Sequence, residues 1–169
     1  MPTVNTKVYS SKQEHGVASI LGWDVVSGSG ARPHHVGDVE SREWLGECKT
    51  HVTSGHPIVF RESVWMKIMK EAMSQCKRPV LFVDDGSQDL YRTWCMYLCT
   101  IEPYGGLHTA PILRKDGTSN ISFDSEDMKR QLSELSEDGK YRYCGFTTRF
   151  GLRNVVVTDF LTFNAMFGS

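Results

Sequence analysis

Residues 36–50 run Val-Gly-Asp-Val-Glu-Ser-Arg-Glu-Trp-Leu-Gly-Glu-Cys-Lys-Thr, and this stretch decides how the rest of the chain is read. Residues 36–40 and 44–50 are two strand candidates joined by a tight polar turn. Side chains alternate between the two faces of a strand, so Glu47 and Lys49 point to the same side. Asp38, on the neighbouring strand, falls within a residue or so of that pair. Trp44 and Leu45 mark the second strand as largely buried, and charged groups in such a place need partners or a task. Two carboxylates held close repel unless a cation sits between them. Mg2+ is bound in that style, by one or two carboxylates with waters and phosphate oxygens. A lysine beside them is suited to orienting water or stabilising charge at a phosphate.

Working outward, residues 11–21 read as a short helix, with Ser10 or Ser11 as its cap and Glu14 in its first turn. Val17, Ile20 and Leu21 form its apolar stripe, and Gly22 stops it. Residues 23–26 are a short strand, followed by the loop Ser27-Gly28-Ser29-Gly30-Ala31-Arg32-Pro33-His34-His35. Residues 62–76 form an amphipathic helix with Val64, Trp65, Ile68, Met69 and Ala72 on its apolar side. Residues 79–84 are an apolar run expected of a buried strand.

Beyond this point, residues 91–101 suit strand or helix, and 107–114, 141–148 and 154–158 are strand candidates. Residues 125–135 form a helix capped by Ser125, with Met128, Leu132 and Leu135 inward, and 159–167 form a terminal helix. Helix, three strands, helix, strand is the order over the first 84 residues, which predicts a mixed α/β or α+β domain.

The chain has 169 residues and a formal net charge of −1, enough for one domain with a single core. Its composition, 40% hydrophobic and 23% charged, excludes a disordered chain, a collagen-like repeat and a disulfide miniprotein. No apolar run reaches the roughly 18 residues of a membrane helix, and the first sixteen residues are too polar for a secretory leader. Cys48, Cys76, Cys95, Cys99 and Cys144 show no CxxC spacing and read as reduced thiols, so a cytoplasmic location is expected.

The near-neutral total conceals two basic stretches, 61–78 and 140–153, which on charge alone read as solvated faces first and as phosphate-binding surface second. His15, His34, His35, His51 and His56 fall early in the chain without HxH or HxxxH spacing. Phosphate contacts from His34, His35 or His51, with Lys12 and Arg32, or simple exposure of these rings, are therefore favoured over a zinc site. Asp127-Met-Lys129 and Asp138-Gly-Lys140 repeat the acid-x-Lys pattern but belong to a solvated helical surface. Phe146, Phe150, Phe160, Phe163 and Phe167 exceed what a short C-terminal segment needs and suggest a dimer face, the alternative being that they complete the monomer's own core.

Asp38…Glu47-Cys48-Lys49 resembles the PD-(D/E)XK nuclease motif, with Gly37 where the motif's name has proline. The wider similarity is to Holliday junction resolvase-like nucleases of archaea and phages, over residues 10–84. It includes Glu14 in an early helix, the Gly28-Ser29-Gly30 loop, Gly37-Asp38-Val39, Glu47-Cys48-Lys49-Thr50, a following amphipathic helix and an apolar strand. The resemblance implies a restriction-endonuclease-like αβββαβ core, with a central mixed sheet flanked by helices. It implies a single nuclease domain over 1–169, in which 85–169 elaborate the core.

The resemblance further implies phosphodiester cleavage in branched DNA that depends on Mg2+, or on Mn2+ in its place. Asp38, Glu47 and the Cys48 carbonyl would hold the metal, Glu14 would complete the site, and Lys49 would assist the attacking water. Ser29 would help position DNA, and the enzyme would act as a homodimer in the cytoplasm, that of a host cell if phage-encoded. Two other readings remain open: a nuclease of this fold without junction preference, and a DNA-binding module without catalysis.

Overall fold

A computed structural model describes residues 6–27, 36–109 and 119–168. The first half runs α1 (Thr6–Leu21), β1 (Asp24–Val25), β2 (Val39–Glu40), β3 (Trp44–Lys49), β4 (Ile58–Phe60), α2 (Glu62–Ser74) and β5 (Arg78–Val83). A 3-10 turn (Leu90–Arg92) precedes β6 (Trp94–Leu98), β7 (Leu107–Thr109), β8 (Ile121–Phe123) and α3 (Ser125–Leu135). The chain closes with β9 (Gly145–Phe150), β10 (Arg153–Asp159) and α4 (Phe160–Phe167). This is a mixed α/β fold around a central mixed sheet.

Eight strands form that sheet in the order β1-β2-β3-β5-β6-β10-β9-β7. β1, β2 and β3 are antiparallel neighbours, and the short connection between β2 and β3 is of the kind an antiparallel pair allows. β3 and β5 are parallel, with Glu47 beside Leu81 and Lys49 beside Val83. A parallel pair needs a long crossover, and α2 lies within it. β6 is antiparallel to both β5 and β10. The segment after residue 84 therefore continues the same sheet.

The sheet has a core on each face. α2 and α3 cover one face, where Trp65, Ile68, Ala72, Met128 and Leu132 meet Leu45, Leu81 and Val83. α1 and α4 cover the other, where Val17, Leu21, Phe160 and Phe163 meet Trp44, Cys48, Val80 and Phe82. Phe163 is the hub of an aromatic cluster, its ring centroid 5.1 Å from Trp44, 5.5 Å from Phe82 and 5.5 Å from Tyr97. Phe146, Phe150, Phe160 and Phe163 are all buried within the chain, and Phe167 packs partly against the same core. The aromatic excess read as a dimer face is thus taken up internally.

Several local expectations change. α1 begins at Thr6, so Ser10 and Ser11 lie inside it and cap nothing. Its outer turns are polar and amphipathic patterning does not mark where they start. Gly22 does end it, at φ 71°, a conformation glycine adopts readily. Ile20 and Leu135 point outward, about half exposed. The cap of α3 is Asp124, which accepts the Asp127 N–H. Ser125 is buried and accepts the Trp94 indole N–H at 2.8 Å.

The small sheet of β4 with β8 was not anticipated, because each strand has three residues and its partner lies far along the chain. Among residues 91–101, the 3-10 turn and β6 resolve the ambiguity between helix and strand. Residues 110–114 of the expected 107–114 strand lie outside the described residues. Among the described residues, no helix is long and apolar enough to cross a membrane.

Candidate functional site

The site begins with two glycines that let β2 and β3 approach. Gly37 has φ 74°, and a Cβ there would lie 2.8 Å from Leu45 Cδ1. Proline holds φ near −65°, so the residue preceding Asp38 in the motif's name does not suit this backbone. At Gly46 a Cβ would stand 2.8 Å from Phe82 Cε2 and 2.9 Å from Val39 Cγ2. Val39 pairs with Gly46, the Asp38 N–H donates to the Gly46 carbonyl at 2.8 Å, and β2 then runs out of pairing partners. The Asp38 side chain takes over, its Oδ2 accepting the Cys48 N–H at 2.8 Å.

Along β3 the alternation expected from sequence holds. Lys49 Nζ donates to Glu47 Oε1 at 2.7 Å, with Glu47 buried and Lys49 half exposed. The Cys48 side chain turns the other way, into the core beneath α1 and α4. Burial pushes its thiol well up, reinforced by the Asp38, Glu14 and Glu47 charges. A thiol held protonated is an inert core group, and only the Cys48 carbonyl remains to serve as a ligand.

Glu14 comes from α1 and faces the same cluster. Burial and the charges of Asp38 and Glu47 push its carboxyl up to about 7. Asp38 rises to about 6, through burial and the Glu47 charge, against the pull of the Cys48 N–H and Lys49. Burial lowers the Lys49 ammonium, but its bond to Glu47 and the surrounding carboxylates raise it further. The cluster therefore holds three carboxylates against one fixed ammonium.

Oxygen donors with excess negative charge suit a hard divalent cation, which would offset both the burial and the mutual repulsion that raise the Glu14 and Asp38 carboxyls. As they stand, one oxygen of Asp38 faces a backbone N–H and one of Glu47 faces Lys49. Among the described residues, no three His, Cys, Asp or Glu side chains already form a metal-ligand set.

His51 is also brought close, since it lines a pocket with Lys49. It stacks on His56 with ring centroids 4.0 Å apart, and burial followed by the His56 charge lowers its pKa. Lys12 stands apart, exposed on the outer side of α1 in a shallow hollow with Ser11 and His15. Ser29, Arg32 and His34 lie outside the described residues. Lys129 is not on a solvated face: its side chain is 12% exposed and Nζ donates to the Tyr91 carbonyl at 2.7 Å. Lys140 is exposed, as expected.

Sequence reasoning missed Gln13 and Asp84. Gln13 is buried, and its Nε2 donates to the Lys49 carbonyl at 2.9 Å, seating α1 on β3. That bond turns the next residue, Glu14, toward the carboxylates. A polar residue one step from Glu14 in a buried helix face was the available signal. Asp84 is fully buried at the end of β5, and its Oδ1 accepts Thr50 Oγ1 at 2.6 Å and the Gly86 N–H at 2.9 Å. These bonds tie the loop after β3 to the loop after β5.

Compared with models of protein families, with curated proteins and with solved structures, the chain has no match.

Proposed function

We propose that this chain is a metal-dependent DNA endonuclease of the PD-(D/E)XK type, acting on branched DNA such as four-way junctions. The observation that carries the reading is the convergence of Glu14, Asp38, Glu47 and Lys49 from three separate elements. Asp38 and Glu14 are raised by burial first and by their neighbours' charges second, and Lys49 is bonded to Glu47. The order of elements supports it. With β4 set aside as an insertion, α1, β1–β3, α2 and β5 follow the αβββαβ plan, with an antiparallel trio and a parallel fourth strand.

In this reading Asp38, Glu47, the Cys48 carbonyl and Glu14 would hold Mg2+ or Mn2+. The ion, when bound, supplies positive charge that stabilises the attacking and leaving oxygens of a phosphodiester displacement. Lys49, fixed as an ammonium, cannot accept a proton. It orients the attacking water and offsets charge on the phosphoryl oxygens. Glu47 holds Lys49 in place, and Gln13 fixes the backbone beneath it. Water bonds phosphorus and gives up a proton to solvent, and the bond from phosphorus to the sugar oxygen breaks as that oxygen takes a proton from solvent.

The test is incubation of labelled four-way junction and matched linear duplex with the protein, in Mg2+ or in EDTA. Junction cleavage in Mg2+ alone, absent from Asp38→Asn, is expected. Equal cleavage of both substrates would move the reading to a nuclease of this fold without junction preference. Binding with no cleavage of either would leave a DNA-binding module.

A further inference from the structure

A pocket of about 120 Å3 opens beside the carboxylate cluster, on the side away from β2. Its position follows from the strand register. Glu47 neighbours Leu81 and Lys49 neighbours Val83 across the parallel β3–β5 pair, so the pocket starts where the acid and lysine end. Its rim carries Lys49 from β3, His51 from the loop that follows, and Arg61 at the start of α2. Its floor is apolar, made by Val59, Val64, Leu81 and Val83. Among the described residues lining it, none is acidic. The rim cations are Lys49 and Arg61, with His51 beside them as a hydrogen-bonding ring, and no acidic side chain among the described residues around the cavity pairs with them, although Lys49 also bonds Glu47 outside it.

The two halves of this pocket ask for different chemistry from one ligand. Cations at the rim favour a phosphate. An aliphatic floor gains from covering a sugar or base and gains nothing from a phosphate alone. A nucleotide unit carries both parts in the right order. Strands in a sheet lie about 4.8 Å apart, so a chain with one phosphate at Asp38 and Glu47 reaches the pocket within one nucleotide.

We propose that the pocket receives an unpaired nucleotide next to the scissile phosphate, its phosphate at the rim and its base or sugar on the apolar floor. The proposal rests on the nuclease reading and deepens it by naming the substrate class. A base stacked and paired in continuous duplex is not free to enter a blind pocket, and extruding it is unfavourable by a few kcal/mol. A flap, a single strand or a junction with unpaired residues at its centre presents such a base already released. Selection for DNA of that kind is then a property of the pocket in one monomer.

The experiment compares metal-free binding in EDTA, by fluorescence anisotropy, of a duplex with one unpaired nucleotide and of its fully paired counterpart. Val59→Phe, which fills the floor, is expected to weaken binding of the first by on the order of tenfold while changing the second by less than about twofold. Arg61→Glu, at an exposed position that leaves the core untouched, should weaken the first more than the second and secures the test if Val59→Phe does not fold. Equal losses on both DNAs, or no loss on either, would overturn the pocket proposal. The nuclease reading is judged separately, by whether wild-type protein cleaves in Mg2+ and Asp38→Asn does not. Cleavage that persists with an unchanged preference for unpaired DNA in both pocket variants would reject the pocket alone.

Discussion

At the residue scale, Asp38 has two tasks that can be separated. Its Oδ2 completes the backbone bonding of β3, and its charge adds to a crowded cluster. Asn keeps an acceptor oxygen and loses the charge. In the nuclease reading, Asp38→Asn and Glu47→Gln abolish cleavage and leave DNA binding intact or tighter, because a negative group facing phosphate is gone. Lys49→Ala lowers the cleavage rate at least about a hundredfold with a smaller effect on binding. Near wild-type cleavage by Asp38→Asn in Mg2+ would refute the site.

The same residue sets a pH dependence. Folded Asp38 holds its proton up to about 6, against 3.8 ordinarily, so the metal-free folded state binds more protons than the unfolded state in that window. Stability then falls as pH rises through it, and Glu14 extends the fall toward 7. In urea titrations with EDTA, Asp38→Asn should be more stable than wild type by about 1–2 kcal/mol at pH 8 and nearly equal below pH ~4. A less stable Asn variant at pH 8 would contradict this account.

Elements are where the sequence pattern both succeeds and stops. β2, β3, α2 and β5 were readable because their apolar periods are strong and because charged Glu47 and Lys49 stand out in a buried strand. The start of α1 was not, since Thr6 to Val8 are exposed and carry no apolar period. β4 and β8 were invisible for another reason: two three-residue strands pair across the chain, and nothing local encodes a distant partner. Within the site, Asp38, Glu47 and Lys49 followed from spacing. Gln13 and Asp84 did not: a polar residue in the buried face of α1 marks Gln13 as unusual, but the partners, the Lys49 carbonyl and Thr50, are distant in sequence and no linear pattern names them.

The α3 terminus yields a paired prediction at this scale. Asp124 is its cap and Ser125 is the acceptor of the Trp94 indole. Asp124→Ala should destabilise by about 1 kcal/mol through lost capping. Ser125→Ala should destabilise by about 1–3 kcal/mol by leaving a buried N–H unpaired, and should also shift the tryptophan fluorescence. Equal spectra for the two variants would undo the assignment.

For the whole molecule, the aromatic hub on α4 locks the last residues of the fold to its first strands. Phe163 touches Trp23, Trp44, Phe82 and Tyr97, which come from the β1 region through β6. Phe163→Ala should therefore destabilise the entire domain by about 3–5 kcal/mol, in a single cooperative transition. Residues 6–84 alone should not fold, since β5 would lose β6 and the α4 side of the sheet would be bare. A cooperative urea transition for that fragment would show the second half to be dispensable, as the reading of an elaboration on a core would have it.

The margin of the large sheet has a consequence for crowded conditions. A sheet ordinarily ends in a strand whose unpaired N–H and C=O groups invite another chain to add on, the first step toward fibres. Here the terminal strand β1 is two residues long and its neighbour β2 is no longer, while the Asp38 carboxylate occupies the next free amide of β3. That border offers almost no template for a newcomer's backbone, so copies that meet there have little to continue.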